Sequence, residues 1–484
     1  MKKASIISLI LLSFSCTDLQ ETPLSEQQIK SYYSNEETFL SAIVPAYSKL
    51  RNYTWAYWNL VQVSSNETAI TGQHVFDFYR GFFSHNFNPR DEEIEICWNW
   101  LYEGISECNN TLYVYNQLDK KPSKFIAEAR LLRAFYYYIL MDTFGNVPII
   151  TKYPVPDDVR QITRKELFSF CEKEIFESLN DLPDSGLNTY GRVDKDVAYT
   201  ILAKLYLNAE VYTGQSKWQE CINALDKVKT RTLPVDYFDN FKIHNETSKE
   251  IIFPIVFSSK IDLGFPNSNF YMRTLHYNQM AASPWNGFCT TAELYDSFEE
   301  NDYRKSVLWE GVQYSELRWP AKNTKGVPLT DRPGSSLSFK KHISLTNNSE
   351  SDGIRVPKYE PDVNAPAGQA ENDYVIFRYS DVLLMKAEAL FRLGKSSEAL
   401  IYINQVRERA KIKPIQKLKL NDIFTERQHE LFWEAFARQD LIRFGLFNEP
   451  NSLRTKKSES YKTLFPIPQS ALTQNLNFKQ NVGY

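Results

Sequence analysis

His429 and Glu430 open like the zinc-protease motif, in which two histidines four residues apart on one helix face hold the metal and the intervening glutamate serves as base. The residue four after His429 is Trp433, so the second ligand is missing. The histidines at 74, 85, 244, 276 and 342 show no spacing that one helix could present to a metal either. Glu426, Glu430, Glu434 and Arg438 recur at intervals of four, with Asp440 and Arg443 close behind. Carboxylates do glycosidase chemistry only when two face each other across a cleft at ~5–10 Å. Alternating signs at helical spacing form ion pairs instead, and that structural role is the expectation for this block. No nucleophile elbow or phosphate-cradling glycine loop is present. No catalytic residue and no metal ligand is assigned. The chain is expected to work without a cofactor, with a structural calcium left open.

What rises above background is aromatic content: 14 % of the chain, with 29 Tyr, 31 Phe and 9 Trp. A pyranose ring packs its C–H face on an indole or phenol while amides and charged groups bond its hydroxyls, so aromatic platforms in loops suit a sugar. Trp98, Tyr102, Tyr138 and Trp433 fall on helical stripes and are expected in the core. Trp285, Asn286 and Gly287 combine a platform, a side-chain amide and a flexible backbone beside Pro284, and Trp319 with Pro320 offers a second ring. Trp285, Asn286 and Trp319 are therefore candidate ligand contacts.

The elements that must hold these residues are mostly helices. Ser34, Asn35, Glu36 and Glu37 resemble a capping box, after which Phe39, Ile43, Tyr47 and Leu50 share a face, with a bend expected at Pro45. A second amphipathic helix is predicted over residues 95–118, and a third over 127–141 that ends at Gly145 with Pro148 beyond it. Residues 381–393, a turn at Gly394 and residues 397–410 form the clearest pair. Its small residues at crossing points resemble a tetratricopeptide unit, which Ala203, Tyr206, Cys221, Leu225 and Val228 echo. Residues 53–94 and 233–375 lack sustained periodicity and are expected as long loops, with short strands at 251–257 and 337–339 serving as supporting hairpins. The predicted fold is mainly α: about four tetratricopeptide-like helix pairs form a scaffold (34–52, 95–232 and 377–447), joined to a loop-rich ligand-binding part (53–94 and 233–375) in a single domain over 34–484.

Lys2 and Lys3 precede an apolar run from Ala4 to Phe14, followed by Cys16 and a polar stretch. The run is about half the ~20 residues a spanning helix needs, so residues 1–15 are predicted to be an export signal. Cys16 is placed for lipidation, residues 16–33 forming a lipidated tether. The formal charge of −3 is spread without basic blocks, which argues against nucleic acid as a partner. Five further cysteines, at 97, 108, 171, 221 and 289, are an odd number for an exported chain and are expected as small core residues.

Four ordered segments resemble the SusD/RagB family: residues 127–136 with 145–148, residues 377–389, Glu426 and Arg427 through Asp440 to Arg443, and residues 464–468 with 480–484. Residues 98–102 with Asn109, and residues 290–298 with Asp302 and Arg304, agree. Lys386, Ala435 with Phe436, and Val482 depart from the family pattern. The resemblance implies a binding protein, not an enzyme, that is lipid-anchored at the outer membrane and faces the cell surface. It would capture oligo- or polysaccharide and pass it to a SusC-like TonB-dependent porin. It also implies ligand contacts in the first loop region, where Trp58, Asn66, Glu67, Tyr79 and Arg80 are the candidates. A tetratricopeptide-type protein scaffold, or a binder of a non-sugar nutrient such as a peptide, is the alternative.

Overall fold

The computed structural model describes residues 26–70, 74–258, 270–365 and 370–484. Residues 1–25, and with them Cys16, lie outside the described part. The second half of the expected tether is not extended: Glu26–Tyr32 is a helix that rests on the helix Glu92–Gln117. The next helix, Glu36–Ser48, starts one residue later than expected. Asn35 is its cap, its side chain accepting from the Thr38 N–H at 3.0 Å while the Thr38 hydroxyl accepts from the Asn35 N–H at 3.2 Å.

Four antiparallel helix pairs make the scaffold, as predicted: Glu36–Ser48 with Glu92–Gln117, Ser123–Phe144 with Arg164–Ser178, Lys195–Leu207 with Trp218–Leu225, and Tyr379–Arg392 with Ser396–Arg409. Gly145 and Gly394 end their helices at φ 75° and 79°, a conformation glycine adopts without a Cβ clash. The pairs are locked by side-chain donors aimed at the preceding layer. Tyr115, Tyr136 and Trp100 donate to the carbonyls of Phe39, Ala46 and Lys49. Gly104 lets the Tyr136 ring lie against its backbone, where a Cβ would come within 2.4 Å of the ring. Trp218–Leu225 packs on Tyr379–Arg392, which closes the row of pairs across the long insertion at 233–375. The five described cysteines are buried free thiols. Among the described residues no helix is long and apolar enough to cross a membrane.

Residues 53–63 are helical, not loop: Thr54–Trp58 forms a wide turn and Asn59–Val63 continues it. The segment is buried on nearly every side, so its apolar residues occupy all faces and leave no 3.6-residue period to read. The strand Ile251–Ile255 pairs with Tyr374–Arg378, a long-range pairing in place of the predicted hairpin. Ser338–Phe339 pairs with Gly311–Val312.

The stripe from Glu426 to Arg438 is not one helix. Leu420–Leu431 stops, the backbone turns through Trp433 and Ala435 at φ 61° and 67°, and Ala437–Arg443 starts again. Its charges do form ion pairs, deep in the core. Arg378 bonds Glu250, Glu430 and both carboxylate oxygens of Glu434; Arg409 bonds Glu250 and Glu430; Arg304 bonds Asp302, Glu426 and Glu430. Lys358 adds a contact to Glu434. Each of these carboxylates is buried and held by cations, so the block joins the helical scaffold to the loop-rich half.

Candidate functional site

Two parts of the loop-rich half are stitched together by a short antiparallel sheet in which Thr68, Ala69 and Ile70 face Thr290, Cys289 and Phe288. The register brings the 74–83 segment against the 283–287 turn. At the junction the buried ring of Phe76 is surrounded by Trp55 at 6.3 Å, Phe78 at 6.2 Å, Trp285 at 6.0 Å and Phe288 at 4.6 Å between centroids. Phe288 points inward. Trp55 and Trp285 are half-buried and Phe78 is 47 % exposed, so three rings around one hub present apolar surface to solvent. The ion pair of Asp77 and Arg80, 2.8 Å apart, lies beside them and supplies groups able to bond hydroxyls.

The backbone that carries Trp285 is held in an unusual form. Ser283 and Asn286 have φ of 50° and 49°, so two non-glycine residues in the left-handed region flank the tryptophan. Such residues cost of order 1–3 kcal/mol each and persist only where surrounding contacts over-determine them. Those contacts are present. The N–H groups of Trp285, Asn286 and Gly287 donate to the carbonyls of Met272, Leu275 and Arg273 at 2.7–2.9 Å. The Asn286 side chain accepts from Arg355 Nε at 3.0 Å and Nη2 at 2.6 Å and donates to the Glu350 carbonyl at 3.0 Å. Gly287 is required by space, since a Cβ there would come within 2.2 Å of the Phe76 ring. Beneath the platform the Arg273 guanidinium lies 5.7 Å from the Trp285 ring, and burial lowers its pKa to about 10. A rigid, pre-set aromatic surface binds without the entropy of ordering a loop.

Of the sequence candidates, Trp285 is on this face and Arg80 is at its edge. Four others are interior and offer a ligand no surface. Trp58 is fully buried, donates to the Trp433 carbonyl at 2.9 Å and packs edge-on against Phe270. Tyr79 is buried against Phe76 and Phe82. Asn286 is consumed in holding the turn. Glu67 is buried and accepts from Gln62 at 2.8 Å and the Trp433 N–H at 3.3 Å. Trp319 is half-buried elsewhere, its Nε1 donating to the Pro357 carbonyl at 2.8 Å and its ring against Phe238, and it shares no ring neighbour with Trp285 among the described residues. Asn66 is half-buried and lines a different pocket. Trp55 and Phe78 belong to the same two stretches as Trp58 and Tyr79, three and one positions away; helical phase decides which ring faces out, and the turns that set it were not legible.

Glu67 carries a pH signature. Burial pushes its carboxyl up to about 7, Gln62 and the Trp433 N–H offsetting only part of the effect. The folded state therefore binds this proton more tightly than the unfolded chain, whose value is near 4.5. The stabilisation is complete below pH ~4.5 and is lost as pH rises through ~7. Replacing Glu67 by Gln keeps the shape and removes the ionisation. Its unfolding free energy in urea is expected to exceed that of the parent above pH 7, by on the order of 3 kcal/mol, and to match it near pH 4. A constant offset across that range would show that burial does not govern the group.

Residues 342–484 match the profile of the SusD family, and residues 19–207 match a profile described as starch-binding associating with outer membrane. The starch-binding protein SusD of Bacteroides thetaiotaomicron is 26 % identical, over 84 % of this chain and 86 % of that one. SusD-like protein P2 of Formosa agariphila is 24 % identical, over 100 % of this chain and 99 % of its own. Among solved structures, a laminarin-binding SusD-like protein superposes with a TM-score of 0.75 at 23 % identity, covering 93 % of this chain and 100 % of that one. Surface glycan-binding protein A from B. thetaiotaomicron in complex with laminarihexaose gives 0.73 at 20 % identity, with 93 % and 100 % covered. At these identities the superpositions establish a shared fold.

Proposed function

This chain belongs to the SusD/RagB family, and on that premise we propose that it captures an oligo- or polysaccharide at the aromatic face around Phe76 and passes it to a SusC-like TonB-dependent transporter in the outer membrane. The observation that carries the site is Trp285, half-exposed between two left-handed residues and pinned by three backbone hydrogen bonds. Strain of that kind, kept beside an exposed ring, marks a surface whose shape is being maintained. The relatives named for starch and laminarin support a glycan as the ligand class. Binding and release are the mechanism, with no covalent change to the sugar and no cofactor. Lipidation at Cys16 would hold the chain at the cell surface beside the transporter.

The test is affinity electrophoresis of the chain from residue 17 onwards through gels containing plant, host, algal and fungal polysaccharides, with calorimetry on any polymer that retards it. Retardation by one polymer class and release of unaltered sugar is the expected result. Migration unaffected by every polymer would overturn the glycan assignment in favour of a peptide or another nutrient, and accumulation of shorter sugars would overturn the non-enzymatic mechanism.

A further inference from the structure

A second cavity, of about 200 Å³, opens between the 64–66 turn and the 446–454 loop and shares no lining residue with the aromatic face. One wall is a satellite cluster of Phe424, Leu441 and Phe447, separate from the main core. Leu446, Pro450 and Asn451 stand at the mouth, Leu446 being 37 % exposed. The volume accommodates several waters or one compact ligand.

The cavity is lined by a cation that no carboxylate neutralises. Arg454 is nine-tenths buried. Its guanidinium donates to the carbonyls of Phe83, Phe447 and Glu449 at 2.8–3.2 Å and meets His85 Nε2 at 2.7 Å, while its Nε donates to nothing. Among the described residues it has no ion-pair partner, whereas the buried arginines of the core network each have two or more. A second guanidinium, Arg438, lies 5.0 Å from the Phe447 ring, and its Nε and Nη1 are likewise buried without acceptors. The one carboxylate in the lining, Glu449, is held by Lys457 at 2.6 Å. His85 stacks on Phe447 at 4.2 Å with its own backbone at φ 57°. Burial first, and then the Arg454 charge, push its imidazole down to about 3, so the ring adds no charge of its own.

The amides complete the pattern. The Asn66 Oδ1 accepts from Gln428 at 3.3 Å, and the Asn451 Oδ1 accepts from the N–H groups of Leu453 and Arg454. Each amide has its acceptor engaged and keeps its NH₂ group to donate. Donors, positive charge and an apolar wall thus meet in one small volume. A metal cation would meet the buried Arg454 charge and a single carboxylate, Glu449, that Lys457 already holds. An inorganic anion would leave the apolar wall unused, and a hydrocarbon acid would leave both amides unpaired, which is costly in a partly enclosed site.

We propose that this pocket binds a single hexuronate, its carboxylate drawn to Arg454, its hydroxyls bonded by Asn66 and Asn451, and its C–H face against Phe447 and Leu446. The unit could arrive as a free monosaccharide or as the end of an acidic glycan. The assignment does not depend on what the aromatic face captures.

Calorimetry of the chain with glucuronate, galacturonate, glucose, galactose, sodium sulfate and an oligogalacturonide tests it. Saturable binding of a uronate is expected, at least about tenfold tighter than that of the matching neutral sugar or of sulfate, and weakening as NaCl is raised. Leu446→Trp, which plugs the mouth from an exposed position, is expected to weaken it a further ~10-fold with an unchanged thermal midpoint. Arg454→Lys should do the same if it folds. Binding of the oligouronide without the monosaccharide assigns the source to chain ends. Equal binding of charged and neutral sugars, equal binding of sulfate, no saturable binding of any uronate, or binding unaffected by Leu446→Trp would each overturn the proposal. None of these outcomes bears on retardation of a neutral polysaccharide, which tests the aromatic face alone.

Discussion

Trp285→Ala is expected to weaken retention of the cognate polysaccharide about 30-fold, corresponding to ~2 kcal/mol, with a thermal midpoint close to that of the parent chain. The size follows from position. The inner side of the indole is occupied by Phe76 and the Arg273 guanidinium, so the ring cannot fold inward and its outer side stays available. Truncation removes the platform but leaves the turn, because the turn is held by backbone hydrogen bonds and by the Asn286 side chain, none of which passes through the indole. Phe78→Ala, at the edge of the same face, should give a smaller loss in the same direction. Trp319→Ala is the internal comparison: its ring and Nε1 are engaged by Phe238 and Pro357, so it should lower stability more than retention. Full retention in Trp285→Ala together with loss in Trp319→Ala would move the binding surface to the other ring and sink the site described here.

The helical scaffold was legible where its helices keep a wet face. Trp98 through Tyr115, or Ala399 through Val406, repeat apolar residues at three and four positions because intervening positions such as Asn99, Glu103 and Gln405 meet water. The same logic fails where all faces are dry. Residues 54–63 are covered on nearly every side, Trp55 alone reaching solvent, so nothing in their order separates a helix from a loop, and nothing tells Trp58 from Trp55. What separates them is the far partner: Phe270, Phe288 and Trp433 close over Trp58, and these come from segments more than two hundred residues away. Asn286 was misjudged for a related reason. An amide beside a glycine suits ligand contact, but here its oxygen is taken by Arg355, and no local pattern announces that pairing. Trp285 was recoverable because its neighbours Pro284 and Gly287 mark a turn. Family resemblance supplied the assembly of these parts into a binding protein, which periodicity could not.

The largest stability change in the molecule is expected from Arg378→Met. Arg378 is fully buried and bonds three carboxylates, those of Glu250, Glu430 and Glu434, together with the Glu430 carbonyl at 2.6 Å. Methionine fills much of the volume but leaves the three carboxylates with Arg304, Arg409 and Lys358 only, in a medium where an unpaired charge costs several kcal/mol. Breaking one buried pair typically costs ~3–5 kcal/mol, and this change breaks several at once, so the low-pH and neutral unfolding midpoints should both fall. Glu430→Gln isolates the ionisation. Burial alone would raise the Glu430 carboxyl, but Arg409, Arg378 and Arg304 together hold it well below the ordinary carboxylate range. The folded state therefore releases this proton more readily than the unfolded chain, so the stabilisation is present above pH ~4.5 and is lost as pH falls through the folded value. Glu430→Gln is expected to lose ~3 kcal/mol or more at pH 7 and to show a flatter decline in acid than the parent, measured as urea midpoints at successive pH values. If instead both variants stay within ~1 kcal/mol of the parent at pH 7, the cluster is dispensable to the fold, and the helical and loop-rich halves are held together by apolar packing alone.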